Sequence, residues 1–224
     1  MSNEKGINLK INPLHNRNYY ADIDYTGLDV KNAGKSFEEI ARGLDKPLQV
    51  MISSGEVSKI AVLEAAGFQC KRKCYEIEAQ RQDYIGEDCE AEVLYSYAGE
   101  EVYGQCCELM LNRYIMTHEG VSPWTGSKEA FWVELPERVA YFLTDGMVSC
   151  FAFVEAEEIA YVYGESLQEF RIFAQALSLA MFRKYETITF EADDCDEMAM
   201  ELKGLFINQE EESFDTYIRE KKCE

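Results

Sequence analysis

Hydrophobic and polar positions in the first 86 residues switch between a period near two and a period near 3.6. "NYYADIDY" (18–25), "PLQVMIS" (47–53) and "QCKRKCYEIEA" (69–79) alternate or run apolar and read as strands. Between them lie two helical patterns. "SFEEIARG" (36–43) has Ser36 and Glu39 at capping-box spacing and Gly43 to end it. "SSGEVSKIAVLEAAGF" (53–68) has Ser53 and Glu56 at the same spacing, apolar Val57, Ile60, Ala61 and Leu63, and Gly67 at its close. The polar stretch "QRQDYIGEDCEAE" (80–92) then reads as a linker.

The remainder follows a longer plan. A helix over 98–120 places Val102, Cys106, Leu109, Met110 and Tyr114 on one face. A Pro- and Gly-bearing loop follows, with a turn of helix around Lys128–Trp132. Three strands come next, at 138–144, 147–155 and 159–164; Asp145-Gly146 is a hairpin signal between the first two. Then come a long helix from about Leu167, a strand at 187–192, a helix at 194–204 and a strand at 213–220. Here Ser166 and Glu169 again have capping-box spacing, and Leu167, Phe170, Ala174, Leu177 and Met181 share a face. Residues 48–78 and 188–220 echo each other: strand, polar cap, helix, glycine before phenylalanine, alternating strand.

Charge sharpens this picture. The net charge is −20, with −3 over residues 1–90 and −17 over 91–224. Such a balance argues against nucleic acid and against an anionic membrane surface, both of which need basic patches. It favours a cationic small molecule or peptide, or a merely solvated surface. The N-terminus lacks a signal-peptide core and no apolar run spans a bilayer, so a cytoplasmic protein with reduced thiols is expected. The eight cysteines form no C-x2-C pair, and His15 and His118 have no ligand spacing to them, so no metal is expected. Cys70 and Cys74, four apart, are expected on one face of their strand.

The element order from residue 91 onward resembles the GNAT acyltransferase superfamily: helix, loop, three-strand meander, long helix, strand, helix, strand. Residues 91–224 look like one complete domain of this kind, and residues 1–86 like the C-terminal part of a second, truncated one. The resemblance implies an α/β (α+β) fold: a mixed, splayed sheet flanked by helices. It also implies acetyl-coenzyme A in the splay, acetyl transfer to a small-molecule or peptide amine, and scope for a homodimer. Tyr161, Val162 and Tyr163 would pair with the pantetheine arm. The family's pyrophosphate motif falls on Arg171, Ala174 and Ala176, with alanine at the central glycine position. The places of the family's Asn and acidic Tyr hold Asp193 and Asp194, read as helix caps, and no tyrosine. Tyr217 is the nearest substitute acid. Glu134, with Glu155 and Glu158, is a candidate base, and His118 a candidate beside the acceptor loop. Trp124 and Trp132 suit an acceptor pocket or the core.

Two readings stay open: an acetyl-coenzyme A-dependent N-acetyltransferase, or a GNAT-fold binder or interaction module without that activity. They divide on one observable. If the long helix begins near Leu167, the N–H groups at Ala174 are already bonded inside it; if near Phe173, they are free.

Overall fold

The computed structural model describes residues 6–207 and 212–221. In chain order the elements are β1 (Ile7–Asn12), β2 (His15–Ile23), α1 (Ala33–Ala41), β3 (Leu48–Ser53), α2 (Val57–Ala65) and β4 (Gln69–Gln80). After a 3-10 turn at Arg81–Asp83 come β5 (Leu94–Tyr97), α3 (Glu101–His118), α4 (Lys128–Val133), β6 (Arg138–Thr144), β7 (Met147–Glu155) and β8 (Glu158–Gly164). The chain continues with α5 (Leu167–Phe182), β9 (Thr187–Asp193), α6 (Glu197–Lys203) and β10 (Phe214–Arg219). The fold is the expected mixed α/β architecture.

The chain forms two compact units, and they are not sequential. The first takes Met1–Cys74, His118–Gly126 and Glu212–Glu224; the second takes Tyr75–Thr117 and Ser127–Glu211. Chain order alone puts the break in the polar stretch after residue 80. The observed division falls inside β4, and it assigns β10 to the first unit.

In the first unit the strand order is β1-β2-β3-β10-β4. β10 runs antiparallel to β3 over its full length, Phe214↔Ser53 to Arg219↔Leu48, and antiparallel to the first half of β4. The β4 register jumps from Thr216↔Arg72 to Tyr217↔Cys70, so Lys71 is a bulge. That extra residue resets the alternation: Cys70 is exposed and Cys74 buried, not on one face as their spacing predicts. The core gathers Ile7, Phe37, Leu48, Leu63, Phe68 and Tyr217 among others. Phe68 N–H bonds the Leu63 carbonyl and Gly67 has φ +85°, so α2 ends as its sequence predicts.

In the second unit the order is β4-β9-β8-β7-β6-β5, with β6, β7 and β8 as an antiparallel meander. Asp145 (φ 54°) and Gly146 (φ 81°) make the predicted hairpin turn. α5 and α6 lie on this sheet, burying Phe170, Phe173, Leu177, Met181 and Leu202 against Ile159, Ile188 and Phe190. Gly164 closes β8 where a Cβ would lie 2.7 Å from Phe170 Cβ, so this glycine is required by packing.

Several caps differ from expectation. α1 starts at Ala33, three residues before Ser36, because Asp29 accepts from the N–H groups of Lys31 and Asn32 and turns the chain early. Ser53 ends β3, its hydroxyl accepting from Gly55 N–H, and Glu56 stands at the N-cap of α2. Asp196 caps α6 through Met198 N–H, in place of Asp193 or Asp194. Among the described residues no helix is long and apolar enough to cross a membrane.

Candidate functional site

The second unit's sheet opens between β8 and β9. β8 pairs with β7 throughout, with Ala160 as a bulge between Ile159↔Val154 and Tyr161↔Phe153. With β9 it pairs in parallel at only two positions, Glu158↔Thr189 and Ile159↔Phe190. Beyond Ile159 the two strands part. An open strand edge of this kind can accept an extended ligand through main-chain hydrogen bonds. The first unit repeats the pattern, with β2 and β3 parallel only at Tyr19↔Leu48 and Tyr20↔Gln49.

On the open part of β8, Tyr161 is half-buried, with ring centroids 6.3 Å from Tyr114 and 6.4 Å from Phe131. Burial raises its hydroxyl pKa, and the fields of Glu191, Glu134 and Glu158 add to that rise. These carboxylates come from β9, the end of α4 and the start of β8. All three are exposed. Aromatic faces in the field of nearby carboxylates suit a cation. Tyr163 stacks on Phe151 at 4.8 Å and 11°. Burial raises its hydroxyl pKa first, and the nearby Arg113 opposes the rise. Arg113 is itself committed to Asp196, at 2.7 Å. Sequence reasoning missed Arg113, Phe131 and Glu191 here. Tyr114 had been placed only on a helix face, and no local motif carries these contacts.

The start of α5 answers the question the sequence posed. The helix begins at Leu167, only two residues after β8. Ser166 is its N-cap, with extended backbone, and its hydroxyl accepts from Glu169 N–H at 3.3 Å. The Glu169 carboxylate accepts from Thr144 Oγ1 at 3.2 Å and from Ser166 Oγ at 3.4 Å. Phe170 N–H already bonds the Ser166 carbonyl. Of the N–H groups at the helix start that lack an intrahelical partner, that of Glu169 is thus capped by Ser166, and Glu169 itself sets a carboxylate in the first turn. These residues do not fit a pyrophosphate, because like charge at the helix's positive end repels it.

The motif positions lie deeper. Ala174 and Ala176 are buried in the body of α5, their N–H groups in the helical ladder, and they form no loop. Arg171 is exposed and its Nε bonds the Glu201 carboxylate, which also raises its pKa. Of the other predicted residues, Tyr161, Val162 and Tyr163 lie on β8, with Val162 buried. Glu134 is the exposed C-cap of α4 and joins the Tyr161 cluster. Glu155 is exposed at the hairpin end of β7. Trp132 carries Lys128 over its ring at 4.6 Å, and its indole N–H is buried without a hydrogen-bond partner.

Tyr217 and His118 belong to the first unit. Tyr217 is buried in its core, and burial pushes the hydroxyl up to about 12. His118 is also buried, and it lies close enough to His15 for their charges to interact. Around them, Asn18 donates to Gln49 Oε1 at 2.9 Å and to the Val121 carbonyl at 2.8 Å. His15 Nδ1–H donates to the Ser122 carbonyl at 3.0 Å. Trp124 is buried edge-on to His15 at 5.3 Å. This cluster ties residues 118–126 to β2. Among the described residues no group of three His, Cys, Asp or Glu side chains could hold a metal ion.

No family model matches the chain, and no curated protein matches it in sequence. Solved structures do match in shape. A functionally unknown conserved protein from Staphylococcus epidermidis aligns over 100% of this chain and 94% of its own, at 11% identity and TM-score 0.53. A GCN5-related N-acetyltransferase from Sphaerobacter thermophilus aligns over 97% and 76%, at 10% identity and TM-score 0.51. A GNAT-family acetyltransferase from Colwellia psychrerythraea aligns over 95% and 80%, at 9% identity and TM-score 0.51. The chain therefore has the fold of the GNAT acetyltransferases.

Proposed function

We propose that the second unit binds a cationic amine at Tyr161, and that it does so as a GNAT-fold protein without acetyl-coenzyme A held at the start of α5. One observation carries the departure from the transferases of this fold: α5 begins at Leu167, sealed by Ser166 and Glu169. The amine is met by the Tyr114, Phe131 and Tyr161 rings and by Glu134, Glu158 and Glu191. Tyr217 and His118 have no catalytic part in this reading.

The second reading is an acetyl-coenzyme A-dependent N-acetyltransferase using the same amine site. The open edge of β8 past Ile159 favours it, since that edge could pair with a pantetheine arm. In it Glu134 would be the base that receives the amine proton.

Thermal unfolding separates the two. A ligand at a hundred times its dissociation constant stabilises by about 2.7 kcal/mol. Spermidine as a probe should raise Tm, and Glu134→Gln with Glu158→Gln should remove the rise. Millimolar acetyl-coenzyme A should leave Tm unchanged. A rise with the coenzyme, or acetyl transfer to the amine, overturns the first reading in favour of the second.

A further inference from the structure

A cleft of about 650 Å³ opens in the first unit beside the start of β3 and the end of β10. These two ends adjoin, since Arg219 pairs with Leu48 in the ladder. The position is at the opposite end of β3 from the divergence of β2 and β3, so it lies apart from any splay. Its volume is that of a small-molecule site.

Arg219 lines the cleft and is only 8% exposed. Its Nη1 donates to the Phe37 carbonyl, and the carboxylate of Glu38 acts on it through space. A guanidinium has five donors in a planar fork matched to carboxylate and phosphate. Burying one is costly unless an anion completes it. Three further cations line the same cleft: Arg42, Lys46 and Lys221. Opposing them are Glu38, Asp45 and Glu220; Asp45 accepts from the Tyr19 hydroxyl at 2.8 Å and keeps its charge, its pKa lowered by that bond and by the nearby Lys46 and Lys221. In a chain of net charge −20, a cleft where cations outnumber carboxylates stands against the background.

We propose that this cleft binds a small oxyanion, a molecule bearing a phosphate or carboxylate that docks on the Arg219 fork while Arg42 and Lys221 close on it from the rim. Glu38, Glu220 and the carbonyl end of α1 oppose the anion, so binding is modest and needs millimolar probe.

The test is thermal unfolding of the full chain titrated with inorganic phosphate and, separately, with citrate, against sodium chloride at equal ionic strength. The expected result is a saturable rise in Tm. A rise with phosphate alone identifies a phosphate-bearing ligand, with citrate alone a polycarboxylate, and with both an oxyanion of either kind. Arg42→Gln with Lys221→Gln changes two exposed side chains and should move half-saturation at least tenfold higher. Arg219→Lys keeps the charge and loses the fork, so it too should weaken the response. No rise beyond chloride, or a linear unsaturating rise of the kind excluded salts produce, overturns the site. So does a saturable rise that the rim pair leaves unchanged.

Discussion

His15 shows how tertiary contacts set a residue's chemistry. Its sequence neighbours Asn16, Arg17 and Asn18 suggest a polar turn, yet the ring is partly buried at the start of β2 against Trp124. Burial lowers its pKa below the ordinary 6.5, the charges of His118 and Arg72 add to that, and the Ser122 carbonyl opposes it. The unfolded chain thus binds this proton more readily than the folded one. Stability from His15 is present above about pH 6.5 and falls as pH drops through the range below it. Between pH 8 and 5.5, Tm should fall, and His15→Gln should flatten part of that slope. An identical slope in the variant would show that burial of His15 has no titrating consequence. Residue spacing also has limits as evidence. It placed Cys70 and Cys74 on one face, and one bulged residue, Lys71, undid that. Capping residues were legible where the cap was local, as at Ser166, and misplaced where a preceding turn started the helix early, as at Asn32.

At the scale of the element, α5 carries the functional argument. Its start rests on Ser166 and Glu169, three residues apart, a local signal that the sequence shows and the structure decides in favour of Leu167. Two substitutions test its integrity. Ser166→Ala removes the cap and should cost about 1 kcal/mol. Ala174→Gly in the buried interior should cost roughly 1 kcal/mol as a mid-helix glycine. Denaturant unfolding measures both. Combined with Glu169→Ala, the glycine should still confer no binding of acetyl-coenzyme A; measurable binding by that pair would mean an eroded phosphate site rather than a sealed helix start. β1 and β5 were missed although β1 alternates Ile7, Leu9 and Ile11, a short signal beside a polar terminus. The surroundings of Tyr161 were only partly legible: Tyr161 was expected on the pantetheine edge and Glu134 and Glu158 as candidate bases, but Glu191, Tyr114 and Phe131 come near Tyr161 only once β9, α3 and α4 are packed.

For the whole molecule, the internal echo has a structural outcome. The two segments with the same pattern, β3-α2-β4 and β9-α6-β10, are each divided between the two units. β10 completes the first unit between β3 and β4, and the second half of β4 completes the second unit beside β9. A fragment of residues 1–86 lacks β10 and the 118–126 segment that holds Asn18 and His15. Expressed alone it should not unfold cooperatively, and adding a 212–221 peptide should not suffice to restore it. A soluble fragment with a sharp melting transition would refute this account. The sequence by itself determined the order of most elements, the hairpin at Asp145-Gly146, the capping-box spacing of Ser166 and Glu169 and the acidic character of the second half. All of these depend on residues within one turn of each other or on composition. Only the tertiary structure decided which strand closes each unit, which carboxylates meet Tyr161, and that Arg219 lies buried in a cleft with Arg42 and Lys46. Those outcomes depend on strand and helix packing between residues from about thirty to more than a hundred positions apart, and periodicity carries no record of which edge a strand will join.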